Sequence, residues 1–125
     1  MSSMIRSVVA SFRHAFRGLF LAYRTERSFR IQLAVALVIL LATILLPLQA
    51  WERVALLLAI AAVLVLELLN SAVERLVDLL KPRLHEYVAD IKDLMAGAVL
   101  VSAAFAVVLG ILILWPYVFS VLARV

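Results

Sequence analysis

Between Ile31 and Leu48 the chain runs 18 residues without a charged side chain. The bilayer interior holds no water to satisfy an open backbone, so an apolar segment of this length is stable there as a helix that spans the hydrocarbon with help from its flanks. The pattern recurs twice. A second apolar run starts at Val54 and reaches about Leu80, and a third extends from about Asp93 to Trp115. Pro47 is placed to end the first run and Lys81-Pro82 the second. A mean hydropathy of +1.17 and 67% hydrophobic residues lie far above the usage of soluble domains, and three Gly and three Pro leave little material for sheet turns. The expectation is an all-α integral membrane protein, a single domain over residues 1–125 with spans at 31–48, 54–80 and 93–115. A short turn around Gln49–Arg53 and a polar connection over 83–92 join them.

The segment before the first span has a different periodicity. Ile5, Val8, Val9, Phe12, Phe16, Leu19, Phe20 and Tyr23 recur at helical spacing, while Arg6, Arg13, Arg17 and Arg24 fall on another face. Residues 5–25 therefore read as an amphipathic helix lying in the headgroup layer, part of the mature chain rather than a signal. Ten of the 12 basic residues, Arg6, Arg13, Arg17, Arg24, Arg27, Arg30, Arg75, Lys81, Arg83 and Lys92, lie on the N-terminal side of the membrane, against Arg53 and Arg124 on the other. By the positive-inside rule the N-terminus and the second connection face the cytosol. These cations lie beside apolar segments, so membrane phosphates rather than nucleic acid are their partners despite a pI of about 10.1. The absence of cysteine excludes thiolate metal sites and cysteine nucleophiles. Ser102, Ala106 and Gly110 form a small-residue ridge on the third span that suits close helix packing and oligomerisation.

The second span ends in a polar stripe. Glu67, Asn70, Ser71, Glu74 and Asp78 fall within roughly 100° of one helical face, while Leu68, Leu69, Ala72, Val73, Leu76 and Val77 fill the others. Carboxylates at membrane depth are costly, which marks them as a functional-site candidate. With Glu26, His85, Glu86, Asp90, Lys92 and Asp93 the stripe forms a set rich in hard oxygen donors. Such donors suit Mg²⁺, which takes one or two protein carboxylates and completes its shell with phosphates. A nucleotide would supply those phosphates, and Lys92 a cation for their oxygens. Glu67, the deepest carboxylate, suits proton removal from a substrate hydroxyl. Glu74 and Asp78 also have Arg75 and Lys81 within reach as ordinary interfacial pairs. No G-x-x-x-x-G-K-[ST] or G-x-G-x-x-G motif is present, so a nucleotide site here follows neither common scheme.

The run ELLNSAVERLVD, Glu67 to Asp78, resembles the signature of the small prokaryotic diacylglycerol kinase family, which includes the undecaprenol kinases. Arg17-Gly18, Glu26 and Phe29-Arg30 before it, and His85, Lys92-Asp93 and Ala96-Gly97-Ala98-Val99-Leu100 after it, extend the resemblance over nearly the whole chain. It departs at Lys81–Leu84 and at Ile91. The resemblance implies a homotrimer of three-span subunits in the bacterial cytoplasmic membrane, with an interfacial N-terminal helix and a cytosolic active site. The implied reaction moves the γ-phosphate of MgATP onto a lipid alcohol, diacylglycerol or undecaprenol. It further implies Glu67 as general base and Glu26 with Glu74 as metal ligands. Arg17, Glu26, Asn70, Glu74, His85, Lys92 and Asp93 would contact ATP, and Glu67, Arg30 and Ser71 the lipid. The alternative reading is a non-catalytic three-helix membrane scaffold whose acidic stripe only binds divalent ions.

Overall fold

The computed structural model describes residues 2–81, 83 and 86–124 and is built of four helices: α1 (Ser2–Thr25), α2 (Arg27–Leu45), α3 (Ala50–Leu80) and α4 (Val88–Leu122). The last three are long and apolar enough to cross a membrane. α3 is the central element, with α4 packed along it, α2 on another side, and α1 touching α2 and α3. The chain buries few side chains of its own and leaves large apolar ones such as Phe105, Leu112 and Leu94 at least 70% exposed. That is expected of helices whose natural solvent is hydrocarbon, where side chains need no apolar core to escape water.

Each helix is longer than its charge-free run. α2 begins at Arg27 rather than 31, because Arg30 turns its guanidinium back to the carbonyls of Tyr23 (2.9 Å) and Arg24 (3.2 Å). Those carbonyls belong to the last turn of α1 and have no partner within that helix, so the guanidinium caps α1 while its own residue is already helical. α3 begins at Ala50, so most of the expected Gln49–Arg53 turn is its first helical turn. Gln49 and Glu52 close a capping box there, with Gln49 N donating to Glu52 Oε2 at 2.8 Å. α2 stops at Leu45 and the true connection is Leu46–Gln49, which contains Pro47. α4 begins at Val88 and takes in Asp90, Lys92 and Asp93, which were expected in the connection or at its edge, and it continues through Pro116 to Leu122. Proline removes one ladder hydrogen bond, a loss that membrane helices tolerate.

Only Glu26, in an extended conformation, separates α1 from α2. It is the N-cap of α2 and makes no side-chain cap bond, which leaves its carboxylate free to reach elsewhere. Phe29 (4% exposed) and Ala22 are buried on either side of this elbow. An apolar groove of about 530 Å³ lies between α2, α3 and α4, walled in part by Ala36, Ala59, Ala103, Ala106 and Gly110.

Candidate active site

The helical period of α3 carries Glu67, Asn70, Ser71, Glu74 and Asp78 down one face, and the neighbouring helices decide what each meets. Glu67 is 3% exposed. Its Oε2 accepts a hydrogen bond from Gln32 Nε2 on α2 at 3.1 Å. Ser71, one turn on, is also buried and donates its hydroxyl to the Glu67 carbonyl at 3.1 Å, so it serves the α3 backbone. Asn70 Nδ2 faces Glu74 Oε1 at a long 3.4 Å. Gln32 Oε1 and Asn70 Oδ1 are buried oxygens without a hydrogen-bond partner among the described residues. Buried polar atoms are nearly always paired, and these two are exceptions, each on an amide whose nitrogen faces a carboxylate.

The elbow brings a third carboxylate to the same level. Glu26 Oε1 pairs with Arg75 Nη2 at 3.1 Å, and the same nitrogen donates to Thr25 Oγ1 at 2.7 Å. Glu26 therefore lies against the turn of α3 that holds Glu74, one residue from Arg75. Beyond it, Lys92 Nζ at the start of α4 donates to Asp78 Oδ1 at 2.7 Å. Both pairs cross between helices, whereas the sequence offered Arg75 and Lys81 as partners along α3 itself. Both are at least partly exposed, so they orient side chains more than they stabilise the fold.

The remaining expected site residues are placed less tightly. Asp93 lines a shallow hollow with Leu66, Asp90, Gly97, Ala98 and Ser102, which Glu67 does not line. Arg17 is exposed on α1 and Arg30 is engaged with the end of that helix. His85 lies outside the described residues.

Among the described residues no three His, Cys, Asp or Glu side chains converge as a metal site. The hard oxygens on these neighbouring turns are the Glu26 carboxylate, paired with Arg75, the Glu74 carboxylate, and Asn70, whose nitrogen faces Glu74. They fit an ion that takes one or two protein carboxylates and the rest of its shell from phosphates, as Mg²⁺ does, and they do not make a self-sufficient cage. Gln32 was not anticipated as a site residue. Its one sequence signal is that it is the sole amide within the Ile31–Leu48 run, where an unpaired polar side chain would be costly.

Residues 13–114 match the family described as prokaryotic diacylglycerol kinase. The chain is 40% identical over 106 residues to an undecaprenol kinase of Bacillus subtilis, covering 85% of this chain and 86% of that protein. It is 38% identical over 117 residues to a diacylglycerol kinase of Synechocystis, covering 93% of this chain and 67% of that one. A diacylglycerol kinase of Escherichia coli K12 is 29% identical over 110 residues, or 88% and 90% of the two chains.

Proposed function

This chain belongs to the prokaryotic diacylglycerol kinase family and is a lipid kinase, and from that premise we propose that it moves the γ-phosphate of MgATP to the hydroxyl of diacylglycerol or undecaprenol, with Glu67 as general base. The observation that carries the reading is Glu67 itself: a carboxylate 3% exposed, held by one amide, on the same face as the Asn70 and Glu74 oxygens. A scaffold gains nothing from a carboxylate buried with so little hydrogen bonding, whereas a general base needs an oxygen left open to its substrate.

In this reading the lipid hydroxyl gives its proton to Glu67 as its oxygen bonds to the γ-phosphorus. The bond from that phosphorus to the bridging oxygen breaks in line, and ADP leaves with the bonding electrons. Phosphoryl transfer of this kind rests on positioning and on neutralising charge at the phosphate oxygens. Glu26 and Glu74 would hold Mg²⁺, which would supply that neutralisation when bound. Lys92 exchanges Asp78 for a phosphate oxygen, Arg17, Asn70, His85 and Asp93 contact ATP, and Ser71 and Arg30 flank the lipid headgroup. The active form is a homotrimer in the bacterial cytoplasmic membrane, with its N-terminus and site in the cytosol and α1 in the headgroup layer. Its basic residues support that orientation.

The test is phosphate transfer from labelled ATP in mixed micelles, offering diacylglycerol and undecaprenol separately with Glu67→Gln as the blank. Label in one lipid and not in the blank supports the kinase with this base, and the faster acceptor names the substrate. Retained activity in a folded Glu67→Gln variant removes Glu67 from the role.

A further inference from the structure

Glu26 is the single residue between α1 and α2, so neither helix dictates where its side chain points. Two neighbours do. Its Oε1 lies 3.1 Å from Arg75 Nη2 and 3.2 Å from Thr25 Oγ1, while Oε2 accepts no hydrogen bond among the described residues. The same Nη2 donates to Thr25 Oγ1 at 2.7 Å, so both of its hydrogens are spent inside the elbow. Nη1 and Nε of Arg75 donate to nothing among the described residues, and the side chain is 46% exposed. The guanidinium thus holds a carboxylate through one nitrogen and keeps its other donors in reserve. An exposed pair of this kind adds little to stability, so its place in the fold is not explained by what it contributes there.

We infer that Arg75 is a nucleotide-binding residue of this site: its Nη2 fixes Glu26 by Oε1 and leaves Oε2 to the metal, and its unspent N–H groups donate to oxygens of the triphosphate that the metal carries. The inference rests on the reading of Glu26 as a metal ligand and adds how the site tells a metal-bound nucleotide from the free ion. Charge balance favours it. A triphosphate carries more negative charge than one divalent ion cancels, and the acids Glu26, Glu74 and Asp78 lie at this end of the fold. Lys92, bonded to Asp78 one turn beyond Glu74, meets part of the excess. Arg30 is engaged with the last carbonyls of α1. Arg75, next to Glu74 in the chain, is the other cation paired with a carboxylate here. Arginine suits the double task because its donors point in fixed, separate directions around one delocalised charge. A divalent ion that arrives alone at Glu26 is repelled by the guanidinium, whereas phosphate oxygens between the two turn the same charge into an attraction.

The test compares two titrations of the full-length protein in detergent micelles. One uses Mn²⁺ alone, followed by the EPR signal of the free ion. The other uses the magnesium complex of β,γ-methylene-ATP, whose terminal phosphate cannot be transferred, followed by calorimetry. Arg75→Ala is expected to weaken the nucleotide complex about 10- to 100-fold, the value of a charge-assisted hydrogen bond, while Mn²⁺ alone binds as tightly as before or more so. Arg75→Lys keeps the charge but gathers its donors on one atom, and is expected to lose about 2- to 10-fold for the nucleotide complex. It carries the test if Arg75→Ala fails to fold. Unchanged nucleotide affinity in either variant overturns the inference, because the guanidinium is then only a surface pair. Equal weakening of Mn²⁺ and nucleotide overturns it as well, because Arg75 then does no more than orient Glu26. Glu26→Gln separates this inference from the reading beneath it. Unchanged Mn²⁺ binding in that variant removes Glu26 from the metal site, and the inference with it. Weakened Mn²⁺ binding there, beside unchanged nucleotide binding in Arg75→Ala, removes only Arg75.

Discussion

α3 buries two glutamates, one in its first turn and one near its middle, and the two are treated differently. Glu52, 9% exposed, accepts two strong hydrogen bonds on one oxygen, from the Gln49 backbone at 2.8 Å and from the Tyr117 hydroxyl at 2.6 Å. Glu67, 15 residues further along and 3% exposed, accepts one at 3.1 Å. Both partnerless buried side-chain atoms among the described residues, Gln32 Oε1 and Asn70 Oδ1, are on the Glu67 side of the fold. Glu52 ties the α2–α3 connection and α4 to the start of α3, with both of its donors supplied by the protein. Glu67 is left with capacity that only another molecule can use. Burial alone does not distinguish the two acids; the number of donors around each does.

The contrast can be broken from either side. The largest effect is expected at Glu67: Glu67→Gln keeps the shape and lowers turnover about 10²- to 10⁴-fold, the range for losing a general base, with thermal inactivation unchanged. Comparable turnover in this variant would make the two acids alike. Next comes Glu74→Gln, which should shift the Mg²⁺ concentration for half-maximal rate about tenfold upward, in line with the loss of a charged ligand; an unchanged Mg²⁺ titration would confine Glu74 to its contact with Asn70. Glu52→Ala should do the reverse of Glu67→Gln, costing about 1–3 kcal/mol of stability by stranding two donors while leaving the rate of the folded enzyme intact. That is measured by the temperature at which activity is lost on heating. The smallest is Tyr117→Phe, which removes one of the two donors to Glu52 and should cost about 0.5–1.5 kcal/mol in the same measurement. A larger loss from Tyr117→Phe than from Glu52→Ala would show that Tyr117 holds α4 by some other contact.

The spans and the stripe were legible because they depend on short-range periodicity. Eighteen charge-free residues announce α2, and the 3.6-residue repeat alone places Glu67, Asn70, Ser71 and Glu74 on one face. Helix ends were harder, because charge is a poor guide to where a helix stops. Arg27 and Arg30 are helical despite their charge, and Asp90 and Lys92 belong to α4. The Gln49-x-x-Glu52 spacing of a capping box was present in the sequence but read as a turn. The pairings across helices were the least accessible. Which side chain of α2 meets Glu67, or whether Asp78 takes Lys81 or Lys92, depends on how one helix is rotated against another, and no local pattern encodes that. Gln32 was missed for this reason.

The single extended residue between α1 and α2 makes Glu26 the fulcrum of a lever. A helix of 24 residues is about 36 Å long, so a tilt of about 10° carries its far end through about 6 Å while the residue at the hinge scarcely moves. Arg30, clasped to the last carbonyls of α1, and Arg75, paired with Glu26, brace that fulcrum from both sides. A small change of angle at Glu26 is therefore a large displacement at Ser2 and almost none at the carboxylate.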